Sequence, residues 1–160
     1  MKRIPLYRRD GSIANYTMVD DEDYESLSCH KWGAAYSKYT CYAVRHKRSG
    51  SKNNAINMHR EILLLSRESR LVVDHVDRNG LNNQRYNIRA CTRVQNSYNK
   101  IIARKSKTGF RGVYRVGLGF QAAIRVSNAF VNLGFYKNPE LAHAAYIKAA
   151  KEIHGEFFRA

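Results

Sequence analysis

The sequence lacks acidic residues through most of its second half. From Arg78 to Pro139 there is no Asp or Glu in 62 consecutive residues, although the same stretch contains twelve Lys or Arg. Exposed protein surfaces normally mix both signs of charge, so this stretch predicts contact with a polyanion. Nucleic acid is the leading interpretation, because Lys and Arg neutralise backbone phosphates. An anionic membrane surface is the weaker alternative, because no helix predicted in the stretch has an amphipathic basic face.

Other scarcities exclude further classes of protein. No apolar run approaches the ~20 residues of a membrane span, and the basic N-terminus MKRIPLYRRDG lacks the apolar segment of a secretory signal. The three cysteines, Cys29, Cys41 and Cys91, are too few and too scattered for a disulfide framework or a tetrahedral zinc site. We therefore expect an intracellular protein with reduced thiols, without a membrane partner or a small-molecule substrate.

The chain has 160 residues, 44% of them hydrophobic, and a formal net charge of +15, which allows one domain or two small ones. Its patterning predicts an α+β fold. Alternation predicts short strands within residues 1–57, with candidates at 12–19, 40–47 and 55–58, and further strands at 71–74, 110–116, 119–126 and 130–135. Helices are predicted over residues 20–28, 59–66, 92–100 and 139–154, the last opened by Asn138-Pro139-Glu140 and ended by Gly155. We predict an N-terminal domain over residues 1–100, a basic linker over 101–109 and a C-terminal domain over 110–160.

The stretch VVDHVDRNGLNNQRYNIRACTRVQN places an Asp-His pair at the end of an apolar strand and follows it with asparagines. Ionisable side chains there cost desolvation energy unless they have partners or a task. A loop held by asparagine hydrogen bonds is one interpretation. A metal-assisted hydrolytic site is the other, because carboxylate and amide oxygens are hard ligands that suit magnesium or manganese, and a neighbouring histidine can accept a proton from water.

These residues resemble the HNH endonucleases. The Asp-His pair of Asp74 and His75, the middle Asn87 and the final Asn96 match the family's core in type, order and spacing, and MHREIL resembles its approach helix, so the resemblance covers residues 55–100. It implies a ββα-metal fold with one Mg²⁺ or Mn²⁺ per site. Asp74 and Asn96 would hold the ion, His75 would be the general base and Asn87 would brace the hairpin and orient His75, with Arg93 steadying the transition state. No CxxC pairs flank the motif, so structural zinc should be absent.

Residues 106–158 resemble the ethylene-response-factor (APETALA-two type) DNA-binding domain, through the segments RGVY, FQAAIRV, LGFY, NPELAHAAY and HGE. The resemblance implies a three-stranded antiparallel sheet laid in the major groove and backed by one helix. The strand containing Arg115 has ambiguous parity, which leaves the face of that residue open. The expected DNA contacts are Arg111, Tyr114, Arg115, Gln121, Arg125 and Asn132 on the sheet, and Lys105 and Lys107 in the linker.

Together these features predict a site-specific HNH endonuclease of homing type, encoded by a phage, that hydrolyses phosphodiester bonds in double-stranded DNA. One site per chain would cut one strand, so a double-strand break would need a homodimer on DNA or a second event. A non-catalytic DNA-binding regulator with a degenerate nuclease domain is the alternative class. A structure-specific or RNA-directed nuclease is a third possibility.

Overall fold

A computed structural model describes residues 1–49, 52–99, 107–126 and 129–159. Both helices and sheets are present, which confirms the α+β class. The chain divides into two compact units, Met1–Asn96 and Ser97–Ala160. Within the described residues, no helix combines the length and the apolar character that crossing a membrane requires.

The first unit is built on a five-stranded sheet with the order β2-β1-β3-β4-β5, antiparallel except for the parallel β1–β3 pair. The sequence pattern did not predict β1 or β3. In β1, Pro5 breaks the strand signal, but β1 pairs with β3 only at Leu6 and Tyr7, so Pro5 lies where the strand has a single neighbour. The five strands are β1 Lys2–Tyr7, β2 Ile13–Val19, β3 Trp32–Tyr36, β4 Cys41–Ser49 and β5 Lys52–Asn57.

Two helices accompany this sheet, α1 Asp21–Ser28 and α2 Met58–Ile62. The prediction of a helix over residues 59–66 was wrong at its end. The chain turns at Leu64, which has a φ of 51°, and the Leu65 N–H donates to the Arg60 carbonyl at 2.8 Å. This is the hydrogen bond of a Schellman C-terminus, at which the chain leaves the helix.

The core of the first unit lies under the sheet around Trp32, which is fully buried and donates from its indole N–H to the Leu27 carbonyl at 2.8 Å. Met58 and Ile62 of α2 belong to the same cluster, together with Ile88 from further along the chain. This packing fixes α2, and with it His59, against the sheet. Truncation of such a buried aromatic side chain to Ala costs about 3–5 kcal/mol.

A two-stranded antiparallel hairpin follows, formed by β6 Val72–His75 and β7 Ile88–Cys91, and α3 Arg93–Asn99 comes directly after it. The loop between the strands is attached to β2. Met18 donates from its N–H to the Leu81 carbonyl at 2.8 Å, and the Asn83 N–H donates back to the Met18 carbonyl at 2.8 Å. The sheet of the first unit therefore positions this loop.

The second unit contains the three-stranded sheet β10-β9-β8 and helix α4 Pro139–His154, which ends at Gly155 and continues as a short 3₁₀ helix, Gly155–Phe157. The strands are β8 Val113–Val116, β9 Gly119–Val126 and β10 Ala129–Tyr136. Strand β8 begins three residues later than predicted, because the preceding residues form a turn in which the Thr108 hydroxyl donates to the Val113 carbonyl at 3.0 Å. Ile124 and Ala122 of β9 pack against Tyr146, Ala150 and Ala142 of α4.

Candidate active site and candidate nucleic-acid interface

The hairpin register pairs Asp74 with Arg89 and His75 with Ile88. Asp74 is only 3% exposed, and its Oδ2 accepts hydrogen bonds from Nε of Arg89 at 2.9 Å and from Nη2 at 2.7 Å. No role was expected for Arg89 from the sequence, although a cation directly opposite a buried carboxylate is the partner that such a group needs. The pair fixes the Asp74 side chain in the hairpin and gives its buried carboxylate a cationic partner.

His75 is buried and is oriented by Asn83, whose Oδ1 lies 3.2 Å from Nε2 of His75. A series of hydrogen bonds determines which of the two side chains is the donor in this contact. The Thr17 hydroxyl donates to the Leu81 carbonyl at 2.8 Å and accepts from Nδ2 of Asn83 at 2.7 Å, which turns the amide oxygen of Asn83 toward His75. The Nε2–H of His75 therefore donates to Asn83, and the basic lone pair of the ring is on Nδ1.

The surroundings of His75 favour its neutral form. Burial lowers its pKa below the ordinary 6.5, and the hydrogen bond to Asn83 and the carboxylates of Asp77 and Asp74 only partly oppose that shift. A neutral imidazole with a defined tautomer is the state that a general base requires at neutral pH.

The described side-chain hydrogen bonds of Asn87 hold the loop between β6 and β7, and none of them goes to His75. Its Oδ1 accepts from the Asp77 N–H at 2.9 Å, and its Nδ2 donates to Oδ1 of Asp77 at 2.9 Å and to the Asn82 carbonyl at 2.8 Å. The same Asp77 carboxylate accepts from Nδ2 of Asn82 at 2.8 Å, and these hydrogen bonds lower the pKa of Asp77 although burial opposes them. No role was expected for Asp77 or Asn83 from the sequence, since several asparagines close together in the chain do not reveal which of them reaches which partner.

Acidic residues at the start of α1 anchor the same loop. Both carboxylate oxygens of Asp23 accept from Arg85, at 2.9 and 2.7 Å, and Asp20 accepts from the Arg85 N–H at 2.7 Å and from the Gln84 side chain at 2.9 Å. Helix α1 therefore fixes the far end of the loop that carries Asn83 and Asn87.

His59 forms an aromatic cluster with His75 and Tyr42. The ring centroid of His59 lies 5.2 Å from that of His75 and 5.6 Å from that of Tyr42, both in edge-to-face arrangement. Burial, with the charges of His75 and Arg60 adding to it, lowers the pKa of His59 to about 3. Among the described residues no hydrogen-bond partner reaches Nδ1 of His59, which is buried. His59 therefore packs as a neutral ring against the candidate base.

Asn96 is half-buried in α3, which begins with a reciprocal cap. Gln95 donates from its N–H to the Thr92 hydroxyl at 3.2 Å, and the Gln95 side-chain oxygen accepts from the Thr92 N–H at 2.9 Å. Backbone N–H groups of both Asn96 and Asp74 reach the buried Cys91 thiol, whose pKa is raised chiefly by its burial. Asp74 and Asn96 thus flank one buried side chain, while Arg93 is exposed in the first turn of α3.

The donor set suits a hard divalent ion that keeps much of its water. Within the described part of the chain, no three His, Cys, Asp or Glu side chains converge as metal ligands. A carboxylate oxygen of Asp74 and the amide oxygen of Asn96 are hard ligands that could hold Mg²⁺, an ion that usually completes its shell with water and phosphate oxygens. Arg89 already occupies Oδ2 of Asp74.

The second unit leaves one face of its sheet uncovered by α4. The register pairs Tyr114 with Gln121, Arg125 with Phe130 and Asn132 with Ala123, and these pairs alternate with the core pairs of Val113 with Ala122 and Ile124 with Val131. Cross-strand partners share a face, so the predicted contacts Tyr114, Gln121, Arg125 and Asn132 lie together on the uncovered face.

Of the other four predicted DNA contacts, the three that the structure describes lie elsewhere. Arg115 pairs with Phe120 and therefore belongs to the α4 side of the sheet. Arg111 precedes β8, and its Nη1 donates to the Tyr98 carbonyl at 3.2 Å, while its guanidinium lies 5.9 Å from the centre of the Phe158 ring. Lys107 is exposed in the turn before β8, and Lys105 lies outside the described residues.

Comparison with known proteins supports the family. The chain is 31% identical over 137 residues to an uncharacterised HNH endonuclease of Acanthamoeba polyphaga mimivirus, and the match covers 82% of this chain and 71% of the relative. The remaining 18% of the 160 residues, about 29, lies outside the match. Each compact unit is longer than that, so the match includes residues of both units. No family model and no solved structure matches the chain. Because this relative is 31% identical over most of both sequences, the chain belongs to the HNH endonuclease family.

Proposed function

We propose that this chain is a metal-dependent, site-specific DNA endonuclease of homing type that nicks one strand per active site. The observation that carries the proposal is His75 itself. It is buried beside Asp74 at the end of β6, kept neutral, and held in one tautomer by Asn83 and Thr17. A histidine with only a packing role does not need this arrangement, whereas a general base does.

In the proposed reaction, the neutral His75 accepts a proton from water as the water oxygen bonds to phosphorus. The bond from phosphorus to the 3′ oxygen breaks, and that oxygen takes up a proton from the solvent, which leaves 5′-phosphate and 3′-hydroxyl ends. A Mg²⁺ or Mn²⁺ ion bound by Asp74 and Asn96 would polarise the scissile phosphate and stabilise the leaving oxygen. Asn83 orients the base, Asn87 braces the loop, and Arg93 offers a positive charge to the transition state.

We further propose that the hairpin β6–β7 with α3 is the ββα-metal fold of this family, and that the second unit is a DNA-binding domain of the ethylene-response-factor type. Its three antiparallel strands, the single backing helix and the uncovered face support that assignment. On this proposal, double-stranded DNA is the substrate, and Tyr114, Gln121, Arg125 and Asn132 face it, with Lys107 and Lys105 contacting phosphates beside it.

Incubation of the purified chain with supercoiled plasmid, with and without Mg²⁺, tests the activity. We expect nicked circles only with the metal. His75→Ala should reduce the rate by about 10²–10⁴-fold, the usual contribution of a general base, and Asp74→Asn should abolish metal-dependent nicking. Asn96→Ala should require more Mg²⁺ for half-maximal rate. His46→Ala, which removes an exposed histidine of β4, is the matched control and should cut at the parental rate.

The same variants separate the proposal from the competing function of a DNA-binding regulator without cleavage. That alternative is favoured by one observation, the occupation of Oδ2 of Asp74 by Arg89. All four variants should retain the DNA affinity of the parent in a gel-shift assay without divalent metal. Parental DNA binding with no metal-dependent nicking under any condition would establish the regulator and refute the nuclease.

A further inference from the structure

The uncovered face of the β8–β10 sheet displays aromatic side chains that have no place in the core. Phe130 and Phe135 are each 65% exposed, and Tyr114 is 48% exposed. Tyr114 and Phe130 line a shallow depression of ≈280 Å³ together with Gln121, Ala123 and Asn132. Single exposed apolar residues are ordinary, but a cluster on one face indicates a contact surface.

A β-bulge brings the two phenylalanines onto this one face. Phe130 and Phe135 are five residues apart, so regular alternation would put them on opposite faces. In β10 the register shifts between Asn132 and Gly134, and Phe135 then pairs with Gln121 while Phe130 pairs with Arg125. The bulge is closed by a hydrogen bond from the Gly134 N–H to Oδ1 of Asn132 at 3.0 Å. Each phenylalanine therefore has a polar side chain as its cross-strand neighbour.

The polar groups of the face match adenine better than guanine. Gln121 and Asn132 carry side-chain amides, which pair with N6 and N7 of adenine, whereas guanine is read mainly by Arg or Lys. Arg125 is the single cation among the face residues that the register defines, and its guanidinium lies 5.6 Å from the centre of the Phe130 ring. The face has no carboxylate, since the sequence has no acid from Arg78 to Pro139, so it is compatible with DNA.

The apolar groups of the face match thymine, the one base that presents a methyl group in the major groove. A Gln beside a Phe, as in the Gln121–Phe135 pair, offers an amide for adenine and an apolar surface for the thymine methyl. We propose that this face reads A·T base pairs in the major groove through contact of Phe130 and Phe135 with thymine methyl groups. This rests on the DNA-binding role proposed above for the second unit and names the bases that the unit prefers.

The test compares thymine with uracil, which differs from it only by the missing methyl group. Affinity of the full chain is measured without divalent metal, by fluorescence anisotropy, for an alternating A·T duplex and for the same duplex with every thymine replaced by uracil. Burial of one methyl group corresponds to about a fourfold change in affinity. The parent should therefore bind the thymine duplex about fourfold more tightly for each methyl group that it contacts.

Two variants and a control assign the effect to the face. Phe135→Ser and Phe130→Ser should each reduce the preference for thymine over uracil, and because both side chains are largely exposed, either variant tests the face if the other fails to fold. Val131→Ser is the control, since Val131 lies in the same strand, is 41% exposed and pairs with Ile124 on the opposite face. It should keep the full preference of the parent.

The outcomes separate this proposal from the one on which it rests. Equal binding of the thymine and uracil duplexes by the parent, or a preference that survives in both phenylalanine variants, would overturn the reading of methyl groups while leaving DNA binding intact. Absence of binding to any duplex would overturn the DNA-binding role itself. Tighter binding to single-stranded oligo(dT) than to the duplex, with oligo(dU) bound equally well, would assign the aromatic face to stacking on unpaired bases instead.

Discussion

Acid should destabilise the first unit through His59, and His59→Phe should remove that sensitivity. His59 is buried against His75 and Tyr42, and its pKa is about 3 in the folded chain against 6.5 for an ordinary histidine. The folded state therefore binds this proton less readily than the unfolded state. Stability is fully present above pH 6.5 and is lost as the pH falls from 6.5 toward 3.

The size of the loss follows from the two pKa values. At about pH 5 the unfolded imidazole is almost fully protonated while the folded one is still neutral, so the free energy of unfolding falls by about 2 kcal/mol relative to neutral pH. Phe replaces the imidazole with a ring of similar shape that has no titratable nitrogen, and no described hydrogen bond at Nδ1 is lost. The variant should lose about 2 kcal/mol less than the parent between about pH 7.5 and pH 5.

Urea unfolding followed by tryptophan fluorescence is the appropriate assay. Trp32 is the single tryptophan of the sequence and is fully buried in the first unit, so its signal reports on that unit alone. His46→Phe, at an exposed position of β4, is the matched control and should keep the pH dependence of the parent. If His59→Phe lost as much stability on acidification as the parent, His59 would not be a buried neutral ring and the cluster described around His75 would be incorrect.

Two further predictions concern the base and the second unit. Because burial lowers the pKa of His75, the acid limb of the proposed cleavage should lie below pH 6.5, and a pH–rate profile that already declines above that value would contradict the buried base. Gly112→Ala should destabilise the second unit, because the added Cβ would overlap with the ring of Tyr146 and the φ of +70° adds backbone strain. Gly117→Ala, at a φ of +57° with no atom within 4 Å, is the control for strain alone and should cost about 1–2 kcal/mol. Thermal unfolding of the second unit should show about 1–3 kcal/mol of additional loss in Gly112→Ala, and equal losses in the two variants would refute the steric clash.

The sequence by itself determined the residue types of the candidate active site and the order of its elements. Asp74, His75, Asn87 and Asn96 could be selected because their spacing is local, and alternation and caps predict the flanking strand and helix from neighbours along the chain. The cap formed by Thr92 is an example, since its partner Gln95 is three residues away. The α+β class and the uncovered sheet face are predictable for the same reason.

Tertiary structure decided which partner each of these residues has. Among five nearby asparagines, Asn83 rather than Asn87 reaches His75 in the contacts described, because Thr17, sixty-six residues earlier, turns its amide. The pairing of Asp74 with Arg89 requires the hairpin register, and that of Asp23 with Arg85 requires α1 to approach the loop. The bulge in β10 moves Phe135 to the face of Phe130, against the alternation of the sequence. Periodicity reports only which side of an element a residue occupies, whereas partners come from register and long-range packing, which depend on the whole chain.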